Sequence, residues 1–371
     1  MARRLRVLLL IPHLGGGGAE QVTALLARGL SREKYDLHLG LITQSNATAP
    51  APLPGVAVHA LGAVRVRSGA FRLLRLVWQL KPDVILSGMA HLNFMVLFLR
   101  PFFPPSTRVL VRQNGTVSST LAHGTLPRYT RLLYRLLYRH ADRVICQSSA
   151  MAADLAGQLE LGAEKIAVLP NPVDLEGIRH GMQIAKTGPN HWNGPGPHLL
   201  AVGRLSHEKG FDLLIEALAT VRRRFPRADL LIAGAGAEES DLKAQCAQLG
   251  LKSAVRFAGH LANPYACFPG ATLFALSSRH EGMPNALLEA AAAGLPIVAL
   301  PSSGGVVDLL TNRPGAWLAS EISAAALAES LLAALNALHP EQLQMAEQRP
   351  PRKPPARVNP AENSKIRPRI A

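Results

Sequence analysis

The sequence predicts an α/β protein of two doubly wound, Rossmann-like domains that face each other across a cleft. Three observations predict it. Short apolar runs alternate with helix-length segments along most of the chain, the texture of βαβ units and a mostly parallel sheet. The alternation stops once, in the Gly-, Pro- and Asn-rich stretch "NPVDLEGIRHGMQIAKTGPNHWNGPGPH" at 171–198, and then resumes. At 371 residues, with 48% hydrophobic and 18% charged content, the chain is long and apolar enough for two globular domains. Ligands in such sheets bind beyond the carboxyl ends of the strands, so the cleft is the expected site.

In the first half, "RVLLLI" reads as a buried strand, followed by a helix from Ala19 to Leu30. The runs "LHLGLIT", "PDVILS", "RVLVRQ" and "RVICQS" read as further strands, with "RYTRLLYRLLYRHA" as a helix before the last. This places an N-terminal domain at 1–170 and an interdomain linker at 171–198. The second series follows in order: strand "HLLAVGRL", helix Phe211 to Phe225, strand "ADLLIAGAG", helix Glu238 to Leu249, strands "AVRFAGH" and "ATLFALSS", helix Pro284 to Ala293, strand "PIVAL". It makes a C-terminal domain at 199–346. The Pro- and Arg-rich end, 347–371, has no hydrophobic period and is expected to be disordered.

Forty Lys and Arg against 25 Asp and Glu give a formal charge of +15, which suits phosphates, anionic lipid headgroups or nucleic acid. Cys146, Cys246 and Cys267 are far apart and show no CxxC or Cys/His spacing, the usage of a reducing compartment without structural zinc. A cytoplasmic location is expected. The opening "MARRLRVLLLIPHLGGGG" reads as a first strand running into glycines, its apolar run being too short for a leader. "VILSGMAHLNFMVLFLRPFF" contains His91, Asn93 and Arg-Pro, so it is a poor candidate for a spanning helix of about 20 apolar residues.

Several stretches carry candidate chemistry. Gly15 to Gly18 follow the first strand and precede a helix, where backbone N–H groups can receive an anion or a sugar hydroxyl; the structural alternative is a flexible close turn. Neither this loop nor "GAGAEE" at 234–239 completes the dinucleotide pattern GxGxxG. In "GRLSHEKG", Arg204 and Lys209 follow a strand between Gly203 and Gly210. A guanidinium fork and a mobile ammonium together suit a diphosphate, although an isolated basic loop is more often only solvated. His91, just past "DVILS", is either a site residue or a structural histidine before an apolar helix.

"SSRHEGMPNALLEAAAAG" at 277–294 places Glu289 on a helix with little polar face, where a carboxylate is costly to bury without a partner. With Pro284 as the first helical residue, Glu281 lies in the preceding loop and Glu289 about a turn and a half inside. Free N–H groups near Gly282, Met283, Pro284 and Asn285 then face phosphate or sugar, and Glu289 accepts hydrogen bonds from a diol such as ribose. The alternative makes both glutamates surface charges. HExxH, a P-loop, GxSxG and an Asp-x-Asp metal pair are all missing from the sequence, so the charge of a leaving group falls to Arg, Lys and helix dipole rather than to metal.

"GRLSHEKGFDLLIEALA", "AGAGAEESDLK", "SSRHEGMPNALLEAAAAGLPIVA" and "LPNPVD" resemble, in order and spacing, the retaining glycosyltransferases of family 4, which have the GT-B fold. The strong matches cover 166–305, and "GGAEQV" near the start extends the resemblance over most of the chain. The resemblance implies that Glu281 approaches donor-sugar hydroxyls, that Glu289 binds the nucleotide ribose, and that Arg204 and Lys209 hold the donor diphosphate. Gly16, Gly17 and Gly18 would face the reaction centre from an acceptor-side N-terminal domain. Two departures stand out. Where many members have a His after the strand written here "RVLVRQNG", this chain has Arg112, Gln113 and Asn114, with no His until His123. The end "RPPRKPPARVNPAENSKIRPRIA" cannot form the final helix usual in the family.

The expected activity is therefore sugar transfer from a nucleotide diphosphate donor, UDP-linked, to a cell-envelope saccharide or lipid-linked acceptor. No cofactor and no metal are expected, and no nucleic-acid partner. Leu132, Leu133, Leu136 and Leu137 form a stripe among Arg and Tyr residues, suited either to an anionic membrane surface or to packing on the sheet. The first of these would make the protein peripheral at the inner face of the cytoplasmic membrane. Rival readings are a GT-B epimerase or phosphorylase, an inactive subunit, and a basic nucleic-acid-binding protein, the last lacking any RRM, helix-turn-helix or zinc signature.

Overall fold

A computed structural model describes residues 3–14, 17–43, 53–123, 129–185, 191–192 and 194–338. The expected tail at 347–371 and, of the expected glycine turn, Gly15 and Gly16 lie outside them. Met1–Ala334 forms one compact unit; a second, Leu335–Ala371, is described only through Leu338, the end of a helix. The first unit holds two parallel sheets.

Seven strands build the first sheet: β1 Leu5–Ile11, β2 Tyr35–Thr43, β3 Val56–Ala63, β4 Val84–Gly88, β5 Arg108–Arg112, β6 Arg143–Cys146 and β7 Ile166–Val168. Their order is β3-β2-β1-β4-β5-β6-β7, every pair parallel. Between them run α1 Gly18–Gly29, α2 Ala70–Leu80, α3 Ala90–Leu99, α4 Val117–His123, α5 Thr130–Tyr138 and α6 Ser149–Leu159. The continuous apolar run of β1 follows from cover on both faces. Leu8 and Leu10 enter one core with α2, α3, α5 and α6, while Val7, Leu9 and Ile11 enter another with Leu37, Leu39 and Ala27.

The chain then forms α7 Leu175–Ala185 and a six-stranded sheet: β8 His198–Val202, β9 Asp229–Ala233, β10 Val255–Gly259, β11 Leu273–Leu276, β12 Ile297–Ala299 and β13 Ala316–Leu318. Its order is β10-β9-β8-β11-β12-β13, again parallel. Helices α8 Phe211–Arg224, α9 Glu239–Gln248, α10 Asn285–Ala292, α11 Val306–Leu310 and α12 Ala324–Leu338 complete it. The strand order reverses between β1 and β4 in one sheet and between β8 and β11 in the other. These are the switch points beyond which α/β sheets bind ligands.

The expected linker carries a helix of its own. Its period, Ile178 and Met182, is masked by Gly177 and Gly181, and α7 packs on the turn Pro264–Cys267, with Asn263 Nδ2 donating to the Gly181 carbonyl at 3.1 Å. Pro284 is the cap of α10 rather than its first residue: its ψ of 111° is extended, so the helix starts at Asn285. The edge strands β3 and β13 and the helices α11 and α12 escape the sequence pattern, being short, weakly alternating or all-round apolar. The leucine stripe of α5 divides: Leu132 and Leu136 face solvent, Leu133 and Leu137 are half-buried, and the core positions go to Tyr134 and Tyr138.

Candidate functional site

The carboxyl ends of β8 and β11 deliver two loops that are stitched together. The turn His207–Lys209 ends at Gly210, whose φ of +61° belongs to the left-handed region and whose missing side chain leaves room for the Ser277 carbonyl. Ser277 Oγ donates to the Lys209 carbonyl at 2.9 Å and Arg279 N to the Glu208 carbonyl at 2.8 Å. Arg279 also grips Asp212 in a two-pronged pair at 2.7 and 2.6 Å and donates to the His207 carbonyl at 2.9 Å. Burial pushes the Asp212 carboxyl upward, but the guanidinium outweighs it and holds the group below its ordinary value.

This frame brings Lys209 to Glu281. Lys209 Nζ lies 2.6 Å from Glu281 Oε1, which also accepts from Ser278 Oγ at 2.7 Å. Glu281 is 9% exposed and Lys209 24%, so the pair sits at the wall of the site. Arg204 is elsewhere: it turns outward to Glu208 at 2.5 Å, with 70% of its side chain exposed. The structure therefore does not bring Arg204 and Lys209 onto one anion. Gly203 and Gly234 lie at the ends of β8 and β9 with their backbones in contact.

Next in the chain is the N-terminus of α10. No side chain caps it, which leaves its first-turn N–H groups pointing beyond the helix, at the end of the loop that carries Glu281. Further along, Glu289 has the partner its apolar helix demands: the Tyr265 hydroxyl. Burial raises the Glu289 carboxyl above its ordinary value, the tyrosine bond opposes that, and the nearby Asp174 adds to it. Tyr265 is likewise pushed up, first by burial and then by Glu289.

The first sheet meets this assembly closely. Gly282 has no side chain, and the Asn114 carbonyl stands where one would be. Asn114 Oδ1 accepts from Gln147 Nε2 at 2.9 Å. Met283 is buried and receives Asn171 N at its sulfur, 3.3 Å away. Asn171 Nδ2 donates to the Met283 carbonyl at 3.2 Å and to Asn285 Oδ1 at 2.6 Å; Asn285 Nδ2 then donates to the Gly18 carbonyl at 3.1 Å. Arg112, 4% exposed, donates from Nη2 to Asn171 Oδ1 at 2.6 Å. It is sealed at this junction rather than open toward an acceptor.

Around the β1/β4 switch point, Gly17 caps α1 and Gly18 begins it. His91 opens α3, exposed by area, with its imidazole drawn below its ordinary pKa first by the protein packed around it and then by His13. His13 Nδ1 is 3.7 Å from Glu20 Oε1, and Glu20 is buried at 7% exposure in the first turn of α1. Asn171, Ser278, Arg279 and Tyr265 are site residues that the sequence reading misses. Asn171 had a signal, its place between two prolines in "LPNPVD", and Ser278 lies only three residues before Glu281; Arg279 and Tyr265 form pairs too far apart in sequence to read. Among the described residues no group of three or more His, Cys, Asp or Glu side chains is arranged to hold a metal ion.

Two parallel sheets, the second with a basic residue, a glutamate-bearing loop and an uncapped helix N-terminus at its switch point, are the build of a GT-B glycosyltransferase. The family description "Glycosyl transferases group 1" matches residues 185–349 and "Glycosyl transferase 4-like domain" residues 17–172. The chain belongs to this family of family-4-type, group 1 glycosyltransferases. It is 27% identical over 315 residues to the Campylobacter jejuni N-acetylgalactosamine-N,N'-diacetylbacillosaminyl-diphospho-undecaprenol 4-alpha-N-acetylgalactosaminyltransferase, covering 81% of this chain and 82% of that one. To an uncharacterised glycosyltransferase of Methanocaldococcus jannaschii it is 23% identical over 66% of this chain, and it spans 62% of that relative's length. The crystal structure of Anabaena HepE in complex with UDP shares the fold, with a TM-score of 0.65 at 18% identity over 93% of this chain and 99% of that one.

Proposed function

We propose that this protein is a retaining, metal-independent glycosyltransferase that moves a sugar from a UDP-linked donor to a cell-envelope saccharide or lipid-linked acceptor. The observation that carries this reading is the Lys209–Glu281–Ser278 cluster beside the uncapped N-terminus of α10. It offers a carboxylate to sugar hydroxyls and an ammonium plus backbone N–H groups to a diphosphate. Glu289, on the same helix, accepts from a ribose diol in place of Tyr265. In the step proposed, the bond from the anomeric carbon to the donor phosphate oxygen breaks while a bond to the acceptor oxygen forms on the same face. The acceptor proton passes to the departing phosphate. Fixed charge at the leaving group contributes several kcal/mol of barrier reduction in sites of this type. Arg204 reaches the diphosphate by leaving Glu208, a surface pair that costs little to break.

The C. jejuni relative acts, by its name, on a diphospho-undecaprenol acceptor, which favours a lipid-linked acceptor here. So does the surface of the first sheet. Residues 37–141 contain a single carboxylate, Asp83, against twelve Lys and Arg. On α2, α3, α5 and the turn after α3, Phe71, Trp78, Phe98, Phe102, Leu132 and Leu136 are exposed. Among the described residues no helix is long and apolar enough to cross a membrane, and we infer peripheral attachment at this face.

A thermal-shift screen against UDP, GDP, ADP and their sugar conjugates, with and without magnesium, tests the donor site, because a ligand that binds only the folded state raises its stability. Uridine nucleotides should stabilise the protein without magnesium, and the anomeric configuration of the product, read by NMR, should match the donor's. A cooperatively melting protein that responds to none of these nucleotides would overturn the reading and favour an inactive subunit.

A further inference from the structure

Arg112 is a buried cation with an unusual set of partners. Its Nη2 donates to Asn171 Oδ1 and, at 3.4 Å, to the Leu169 carbonyl, whereas its buried Nε and Nη1 have no hydrogen-bond partner among the described residues. None of its bonds goes to a carboxylate. Desolvating a guanidinium in this way is expensive. The strand end that carries it is held firmly: Asn93 Nδ2 donates to the Arg112 carbonyl at 3.0 Å, and Tyr138 donates to Gln113 Oε1 at 2.8 Å.

What the cation sets is a direction. A guanidinium only donates, so Asn171 must present its oxygen to Arg112 and its amino group to the Met283 carbonyl and Asn285 Oδ1. Asn285 must in turn present its amino group to the Gly18 carbonyl. A donor-only group at one end and a carbonyl at the other leave both amides a single orientation. We propose that Arg112 is a positioning residue: through Asn171 and Asn285 it fixes the register between the glycine turn at Gly18 and the first turn of α10, and so between the acceptor and donor sides of the site. The link to catalysis rests on the donor-site reading above; the relay itself does not.

Three variants and four readouts test it. R112M keeps the bulk and removes the donor; apolar replacement of a poorly paired buried charge often leaves stability equal or higher. R112K keeps a donor-only group. N171D satisfies Arg112 with a carboxylate but has no amino group to pass on. R112M and N171D should melt no lower than the wild type yet lose turnover by about tenfold or more, since small displacements between reacting groups cost rate steeply. R112K should recover most of that loss, and UDP should bind all four proteins alike. Hydrogen exchange at the Gln21 and Val22 amides should quicken in R112M and N171D and not in R112K. Wild-type turnover in R112M or N171D, or R112K as impaired as R112M, would overturn the proposal; so would unchanged exchange in α1. Failure of the wild type to bind UDP would sink the donor reading instead, and exchange alone would then decide the relay.

Discussion

Lys209 Nζ and Glu281 Oε1 meet at 2.6 Å, one arriving from the loop after β8 and the other from the loop after β11, on opposite sides of the strand-order reversal. Each is the other's counter-charge. A donor would have to share them, the diphosphate taking the ammonium and the sugar hydroxyls the carboxylate.

Glu281→Gln should therefore separate fold from chemistry. A glutamine oxygen still accepts from Ser278 and Lys209, so the melting temperature should stay near the wild-type value, while turnover falls by about 100-fold, the range seen when one preorganised polar group is removed. Lys209→Met should reduce turnover similarly but also cost about 1–2 kcal/mol, because it leaves Glu281 with Ser278 alone. Steady-state kinetics and denaturant melts on both variants check this, and equal stability losses in the two would contradict the assignment.

The Arg279–Asp212 pair is the scaffold for that contact. Arg279→Met should free the 207–210 loop, costing about 1 kcal/mol after discounting for the partly exposed Asp212, and should raise the KM for donor more than it lowers kcat. The sign with pH follows from the depressed Asp212. A carboxyl whose folded pKa lies below its unfolded one contributes stability above the unfolded value and loses it as pH falls through the folded one. Acid unfolding of the wild type should be steeper than that of Asp212→Asn, measured by urea melts at stepped acidic pH.

How much of this was legible in the sequence follows from the range of each signal. The buried run of β1, the strands β8 and β11, Lys209, Glu281 and the helix behind Glu289 are all local patterns, readable in windows shorter than twenty residues. Pairings are not local: Arg279 finds Asp212 67 positions away and Asn171 finds Met283 112 positions away. Arg204 and Lys209 look equivalent in "GRLSHEKG", yet the turn at His207–Lys209 sends one to the surface and the other to the wall. Arg112 reads as an acceptor-side candidate; only the closure of β5 against Asn171 makes it a buried residue.

Glu289 gives a pH prediction of opposite sign. Its carboxyl is raised by burial and by Asp174, so the unliganded fold is favoured while it is protonated and loses that contribution as pH rises through the raised folded value. Glu289→Gln should melt higher than the wild type at neutral pH, and the gap should close as pH falls below the ordinary carboxylate range. The same variant should respond less to UDP, since an amide is a poorer acceptor for two ribose hydroxyls than a carboxylate. Thermal melts across pH, with and without UDP, check both halves. A lower melting temperature at neutral pH would contradict the burial argument, and an undiminished UDP response would contradict the ribose assignment.

The exposed face of α2, α3 and α5 makes the last prediction. Trp78 Nε1 donates to the Phe102 carbonyl at 2.9 Å, which joins the end of α2 to the turn after α3, each carrying an exposed aromatic. Arg75, Arg131, Arg135 and Arg139 are exposed on the same helices, and the one carboxylate in 37–141 is already taken by Arg3 at 2.6 Å and by Arg6 N at 2.8 Å. Basic residues near an anionic bilayer contribute about 1 kcal/mol each at low salt, and apolar burial adds to that. The protein should float with vesicles containing phosphatidylglycerol, float less in high salt because the charges are screened, and float weakly with phosphatidylcholine alone. Trp78→Ser with Phe98→Ser should reduce flotation without changing the UDP response, because neither residue lies near Lys209 or Glu289. No binding to either vesicle would remove the membrane from the proposal and leave a saccharide acceptor reached from solution.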